Sequence, residues 1–290
     1  MDTQELATQR AGTQRAGTRT AGTQNRHPTV SVVMPAWNEE RNVAYVLDRV
    51  PDLVNQVILV DGGSTDGTVA AAITARSDVE VVQQTRTGKG NALACGFAMA
   101  TGDIIVMIDA DGSTDPAEIP RFVAALRRGA DFAKGSRFAS GGGSADITPL
   151  RRLGNDGLNT MVNLLFGTRY TDLCYGYNAF WRSALPAMRL PDIDRDGAWW
   201  GDGFEVETLM NIRVSTSGLA IEEVASHEAA RRYGESNLHT FRDGGRVLRT
   251  VIHEYAGRSR RRGVVQRLST SAGGALAASR AVAGLLVGAV

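Results

Sequence analysis

The sequence predicts an α/β fold: a doubly wound, mostly parallel sheet with helices on both faces. Three observations predict it. Strand-like and helix-like patterns alternate over about 110 residues from Thr29, as expected for a parallel sheet with crossover helices. The strand-like runs, such as VILV at 57–60 and IIVMI at 104–108, are apolar throughout and do not alternate with polar residues. Strands covered on both faces read this way. Polar clusters also recur just beyond these runs: PAWNEE at 35–40, DGGSTDGT at 61–68 and DADGS at 109–113. Sheets of this kind bind ligands beyond the carboxyl ends of their strands.

Each element has its own signal. TVSVVMPA, closed by Pro35, is a strand. NEERNVAYVLDRV carries Val43, Val46, Leu47 and Val50 at helical spacing. QVILVD is a strand, and a helix begins near Thr68. VEVVQQ is a strand. GKGNALACGFAMATG is a helix opened by glycine and closed by Gly102. DIIVMIDAD is the next strand, PAEIPRFVAALRRG a helix and ADFAKGSR a short strand. The second half is less regular. RLGNDGLNTMVNLLFG is helical, TDLCYGYNAFWRSAL is aromatic-rich without a clear period, and GDGFEVETLMNIRVSTSG is a loop leading into a helix. LAIEEVAS is a strand, HEAARRYGESN a loop and FRDGGRVLRTVIHEYAG a helix.

Composition narrows the function. A chain of 290 residues, 43% hydrophobic and with net charge +1, suffices for one large domain and shows no global pull towards nucleic acid. Two cysteines, Cys95 and Cys174, have no metal-type spacing and read as small core residues in a reducing, cytoplasmic setting. Residues 1–28 contain a polar five-residue repeat (TQRAG-TQRAG-TRTAG) without an apolar face, and are expected to be disordered. Residues 29–255 form the expected domain. Residues 256–290 are a basic, then small-apolar tail, whose run Arg258, Arg260, Arg261, Arg262 is a candidate peripheral contact with an anionic membrane surface. No apolar run reaches the length of a membrane span, and no signal-peptide core is visible.

The candidate chemistry lies in the polar clusters. Asp109 and Asp111 end an oily strand one residue apart, so their like charges need a positive partner. A divalent cation meets that need, because Mg²⁺ takes one or two carboxylates and completes its shell with water and phosphate oxygens. A solvated turn is the competing reading. Lys89 lies between two glycines at a helix start, where it and backbone amides suit a phosphate; a tight turn competes. Asp61 ends a strand and faces the expected nucleotide side, whereas Asp66 reads as a helix cap. Asp202, Glu205 and Glu207 are candidate general bases or acceptor contacts, and for Glu207 a solvated helix position competes. Arg231 and Arg232 form either a phosphate clamp or a basic surface loop. The four histidines have no ligand spacing and are read as non-catalytic.

In this order, VSVVMPAWNEERNV, VILVDGGSTDGT, GKGNALACG, IIVMIDADGSTDP and KGSR resemble the family-2 glycosyltransferases of the GT-A fold. TDLCYGYNAFWRSAL and EVASHEAARRYGESNL resemble the polyprenyl-phosphate sugar synthases within that family. The resemblance covers residues 29–255. It implies transfer of a hexose from a nucleotide diphosphate sugar, of the UDP-glucose or GDP-mannose type, with inversion at the anomeric carbon. It implies Mg²⁺ or Mn²⁺ at Asp109 and Asp111, with Ala110 between them at the diphosphate. The nucleotide would be lined by Pro35, Trp37, Glu39 and Asp61, and phosphates would meet Lys89, Arg137 and Arg231. The implied acceptor is a polyprenyl phosphate, reached at the inner face of the membrane. Three positions depart from the family's pattern: Gly62 follows Asp61 in place of a second aspartate, Ser113 stands where a glutamine is common, and Asn237 replaces a lysine. A glycosyltransferase with a small soluble acceptor and a non-catalytic nucleotide-sugar-binding protein are the alternatives. An anionic phosphate acceptor needs positioning more than proton removal, whereas an alcohol acceptor needs a base such as Asp202 or Glu205.

Overall fold

The computed structural model describes residues 27–234 and 242–258. The repeat expected to be disordered, Asn237 and most of the basic tail lie outside the described residues.

A seven-stranded sheet forms the centre. Its strands are β1 (Val30–Ala36), β2 (Gln56–Asp61), β3 (Glu80–Gln83), β4 (Ile104–Met107), β5 (Phe132–Ser136), β7 (Asn178–Trp181) and β8 (Ile221–Ala225). The order is β3-β2-β1-β4-β7-β5-β8. The β2–β3, β1–β2, β1–β4 and β5–β8 pairs are parallel, while β7 runs antiparallel between β4 and β5. A separate pair, β6 (Gly143–Ser144) and β9 (His227–Glu228), lies beyond the end of β5. The helices are α1 (Val43–Leu47), α2 (Thr68–Ala75), α3 (Lys89–Met99), α4 (Ile119–Arg127), α5 (Pro149–Phe166), α6 (Leu185–Met188) and α7 (Val206–Thr216). A last helix, α8, spans 242–258.

The oily strands serve two cores. On β4, Ile104 and Val106 pack into the cluster holding Phe122 of α4, while Ile105 and Met107 pack into the opposite cluster with Leu93 of α3 and Met210 of α7. All four are at most 1% exposed. Each such side chain contributes about 1.5–3 kcal/mol of burial. With both faces apolar, the sheet's polar work is left to the strand ends.

Two sequence expectations needed adjustment. The helix at 89–99 stops before Gly102. That glycine instead lets the chain pass β1, where a Cβ would lie 2.7 Å from the Ser31 nitrogen. The aromatic-rich run hides β7, a strand whose four residues are too few to show a period.

Candidate active site

The carboxyl ends of β1, β2 and β4 open into a cleft of about 1090 Å³. That exceeds the usual range for a small-ligand site and leaves space for two substrates. Pro35, Trp37, Glu39, Lys89, Asp109, Ala110, Asp111, Arg137, Asp202 and Arg231 all line it. Asp61 and Glu205 are absent from its wall.

Asp109 and Asp111 follow β4 directly, and each has a cation. Lys89 Nζ lies 2.7 Å from Asp109 Oδ1 and 2.8 Å from Glu207 Oε1. Arg231 Nη1 lies 3.1 Å from Asp111 Oδ2, and its Nη2 donates to Glu39 Oε1. Ser113, at the departing position, donates through N and Oγ to Asp111 Oδ1 at 2.9 and 2.6 Å. Burial disfavours the charge on Lys89, but Asp109 and Glu207 outweigh it and hold its pKa above the ordinary value. Glu207, for which a solvated position competed with a role in the site, is 6% exposed and lines the cleft. Gly176 permits this cluster, since a Cβ there would stand 3.1 Å from Glu207 Oε1 and 3.2 Å from Lys89 Nζ.

Among the described residues, no group of three His, Cys, Asp or Glu side chains is placed to hold a metal. Two carboxylates facing an open cleft are nonetheless the donor set that Mg²⁺ or Mn²⁺ completes with water and phosphate oxygens, so the residues present fit such an ion.

The glycines around Lys89 have a different cause from the expected phosphate cradle. A Cβ on Gly88, at φ +130°, would fall 2.1 Å from the Asp202 carbonyl oxygen, and one on Gly90 would fall 1.8 Å from that of Gly201. The N–H groups of Gly90 and Asn91 donate to the Asp202 carbonyl at 2.7 and 3.2 Å. Two amides of the helix start therefore bind protein backbone, while the Lys89 side chain lines the cleft.

Both base candidates are tied down. Arg86 Nε and Nη2 each donate to an Asp202 carboxylate oxygen at 2.9 Å, and Trp199 N adds a third bond at 2.7 Å. Arg86 Nη1 also reaches the carbonyls of Asp192, Ile193 and Arg195, so the pair pins the 192–202 loop. Glu205 is wholly buried beside Arg246, at 3.2 Å, and accepts from Gly201 N at 3.0 Å. Both carboxylates are thus paired with an arginine. Asp61 likewise turns inward: it accepts from Gly63 N, Ser64 N and Gln83 Nε2 at 3.0–3.3 Å and shapes its own turn. Asp66, read from the sequence as a cap, stands one residue before the Gly67 N-cap and accepts from the first helical amide, Thr68 N, at 3.0 Å.

Arg137 anchors the far wall. It makes two bonds to Asp172, at 2.7 and 2.9 Å, and two to Glu228, at 3.0 and 3.1 Å. Burial opposes its charge, and these carboxylates more than compensate, raising its pKa. Beneath it Lys134, fully buried in β5, donates to the Tyr175 carbonyl at 2.9 Å and steadies the loop carrying Gly176. Burial pushes the pKa of Lys134 down.

Glu39 yields a pH prediction. Burial raises its pKa above the ordinary 4.5, against the hydrogen bond from Asn42 and the charge of Arg231. A carboxyl raised on folding stabilises fully below its unfolded value and loses that contribution as pH climbs through its folded value. Glu39→Gln is therefore expected to melt with the wild type below about pH 4.5 and above it towards neutrality. Melting curves across pH check this, and a variant that melts lower at neutral pH refutes it.

The comparisons agree with this geometry. The profile of the glycosyl transferase family 2 matches residues 31–188, and the chain belongs to that family. It is 32% identical to an undecaprenyl-phosphate mannosyltransferase of Micrococcus luteus, over 77% of this chain and 91% of the relative. It is 33% identical to a polyprenol monophosphomannose synthase of Mycolicibacterium smegmatis, over 71% and 80%. Among solved structures it resembles glucosyl-3-phosphoglycerate synthase of Mycobacterium tuberculosis bound to phosphoglyceric acid, with TM-score 0.62, 28% identity and coverage of 79% and 80%. Another structure of that enzyme holds Mn²⁺, UDP-glucose and phosphoglyceric acid. The fold is of the GT-A type and the protein is a glycosyltransferase.

Proposed function

We propose that the protein transfers a hexose, with inversion, from a nucleotide diphosphate sugar to a polyprenyl phosphate at the inner face of a membrane. The observation that carries the acceptor assignment is the state of the two base candidates. With Asp202 held by Arg86 and Glu205 buried beside Arg246, the cleft favours an acceptor that is anionic before it binds. A phosphate monoester is such an acceptor. Inversion follows from the same pairing: Asp109, Asp202, Glu207 and Glu228 are each engaged by a cation, which argues against a carboxylate nucleophile and for a single displacement.

The exposed indole of Trp37 offers a stacking face for the base of the donor, with Pro35 and Gly62 beside it. Asp109 and Asp111 would hold a divalent ion, which when bound supplies positive charge to the diphosphate leaving group. Lys89 and Arg231 stand on either side of the two aspartates and give the phosphates further positive charge as sugar and diphosphate separate. Asp61, named from the sequence as a nucleotide contact, also shapes the turn beside Trp37 through the bonds it accepts from Gly63 and Ser64.

A second reading, transfer to a small phosphorylated acceptor, is favoured by the likeness to glucosyl-3-phosphoglycerate synthase. One experiment separates the two. UDP-glucose and GDP-mannose are first screened by thermal shift with and without Mn²⁺. The stabilising donor is then offered short-chain polyprenyl phosphate or 3-phosphoglycerate, and the product anomer is read by NMR. Inverted transfer to the prenyl phosphate is expected. Transfer to 3-phosphoglycerate alone establishes the second reading, and a retained anomer refutes single displacement.

A further inference from the structure

We propose that the outer faces of α5 and α8 form a docking surface for an anionic lipid bilayer beside the mouth of the cleft. The proposal rests on the prenyl-phosphate reading of that cleft and adds the surface that would bring the enzyme to such an acceptor.

Helix α5 has two apolar sides. Val162 and Phe166 pack inward with Val251 of α8. On the other side Leu150, Leu153, Gly157 and Leu164 follow helical spacing, and Leu153 and Leu164 are 71% and 80% exposed. Helix α8 repeats the pattern. Val247 and Val251 are buried, while Leu248, Ile252 and Tyr255 form a stripe in which Ile252 is 57% exposed. The Tyr255 ring meets Phe166 edge-on at 6.0 Å, which joins the two helices at one end. Six large apolar side chains left in water on two packed helices exceed the scattered exposure of an ordinary surface.

Three further observations select a lipid surface as the occupant. The same helices wall the cleft, through Leu150 and Leu158 of α5 and Val247 of α8, so the exposed face continues into the site. The exposed ionic side chains of α8 are Arg242, Arg246 and Arg249, whereas its two acids, Asp243 and Glu254, are buried. Finally, Arg258 at the end of α8 reaches the Leu165 and Phe166 carbonyls at 3.4 Å, and the chain then continues into Arg260, Arg261 and Arg262. An apolar stripe edged by arginines is the pattern of helices lying in the plane of an anionic interface.

The test uses the full chain. Wild type and the triple variant Leu153→Glu, Leu164→Glu, Ile252→Glu are sedimented with vesicles of phosphatidylcholine and phosphatidylglycerol in equal parts, and with phosphatidylcholine alone. The wild type should bind the mixed vesicles, less so at high salt, and the variant should lose at least about tenfold in partition. Thermal melting and transfer to a short-chain prenyl phosphate in detergent should remain those of the wild type, because the three side chains lie off the cleft wall. Equal vesicle binding by both proteins overturns the surface. So does a wild type that ignores vesicles but self-associates through these leucines. Either result leaves the transfer assay, and hence the reading of the site, standing. Failure of transfer in detergent with intact vesicle binding refutes the acceptor and leaves the surface.

Discussion

Asp109→Asn is expected to lower kcat/KM for sugar transfer by on the order of 10³-fold, a loss of about 4 kcal/mol of transition-state stabilisation. It should also weaken Mn²⁺ binding at least about tenfold. Asparagine keeps the shape and removes the charge. The fold should survive, because Lys89 keeps Glu207 at 2.8 Å and is not left as a bare buried ammonium. The two effects share a cause. Asp109 and Asp111 stand one residue apart, and the first is already bound to a cation within the protein, at 2.7 Å. Removing one carboxylate makes the local balance less negative, with Lys89 and Arg231 both remaining, and a divalent ion is then held less tightly. Isothermal titration with Mn²⁺ in the absence of donor reads the binding, and steady-state kinetics reads the transfer. Wild-type affinity and rate in this variant would remove Asp109 from the metal site. A lost rate with unchanged ion affinity would assign it to the donor alone.

Particular residues show which parts of the site could be read from the sequence. Strands β1, β2 and β4 were legible because both faces are buried, so every residue carries the signal, and the acids at their ends were legible as interruptions of it. Strand β7 was not. It has four residues, NAFW, and its place between β4 and β5 depends on antiparallel pairing with strands 44 to 77 positions away, such as Lys134 to Asn178 and Ile104 to Trp181. Asp202 reads as a base until its partner is known, and Arg86 lies 116 residues earlier. Glu207 sits in the first turn of α7, where the sequence places it near the site without saying which way it faces. The glycines at 88 and 90 announced a close approach, but their spacing serves a phosphate or a carbonyl equally well. What remained illegible in each case was the long-range partner, and the partner decides whether a charged side chain is a free reagent or a strut.

Arg137→Met is expected to be among the most destabilising single changes in the domain, at about 3–5 kcal/mol, lowering the melting temperature by roughly 6–20 °C. Methionine fills much of the same volume, so the loss is electrostatic. Asp172 is fully buried, and three of its bonds come from Arg137: one from the backbone nitrogen at 3.1 Å and two from the guanidinium. Without the guanidinium, the buried Asp172 carboxylate loses two of these three bonds and its cation. Glu228 also loses two bonds and keeps those to β6, where Ser144 Oγ donates to it. Arg49–Asp115 provides the control. Its geometry is just as good, with a contact at 2.8 Å, but both side chains are about 40% exposed, and such pairs contribute about 1 kcal/mol or less. Arg49→Met should therefore melt within a few degrees of the wild type. Chemical denaturation of both variants beside the wild type decides the matter. If the two substitutions cost the same, burial is not what gives the Arg137 pair its weight, and the far wall of the cleft is held by packing alone.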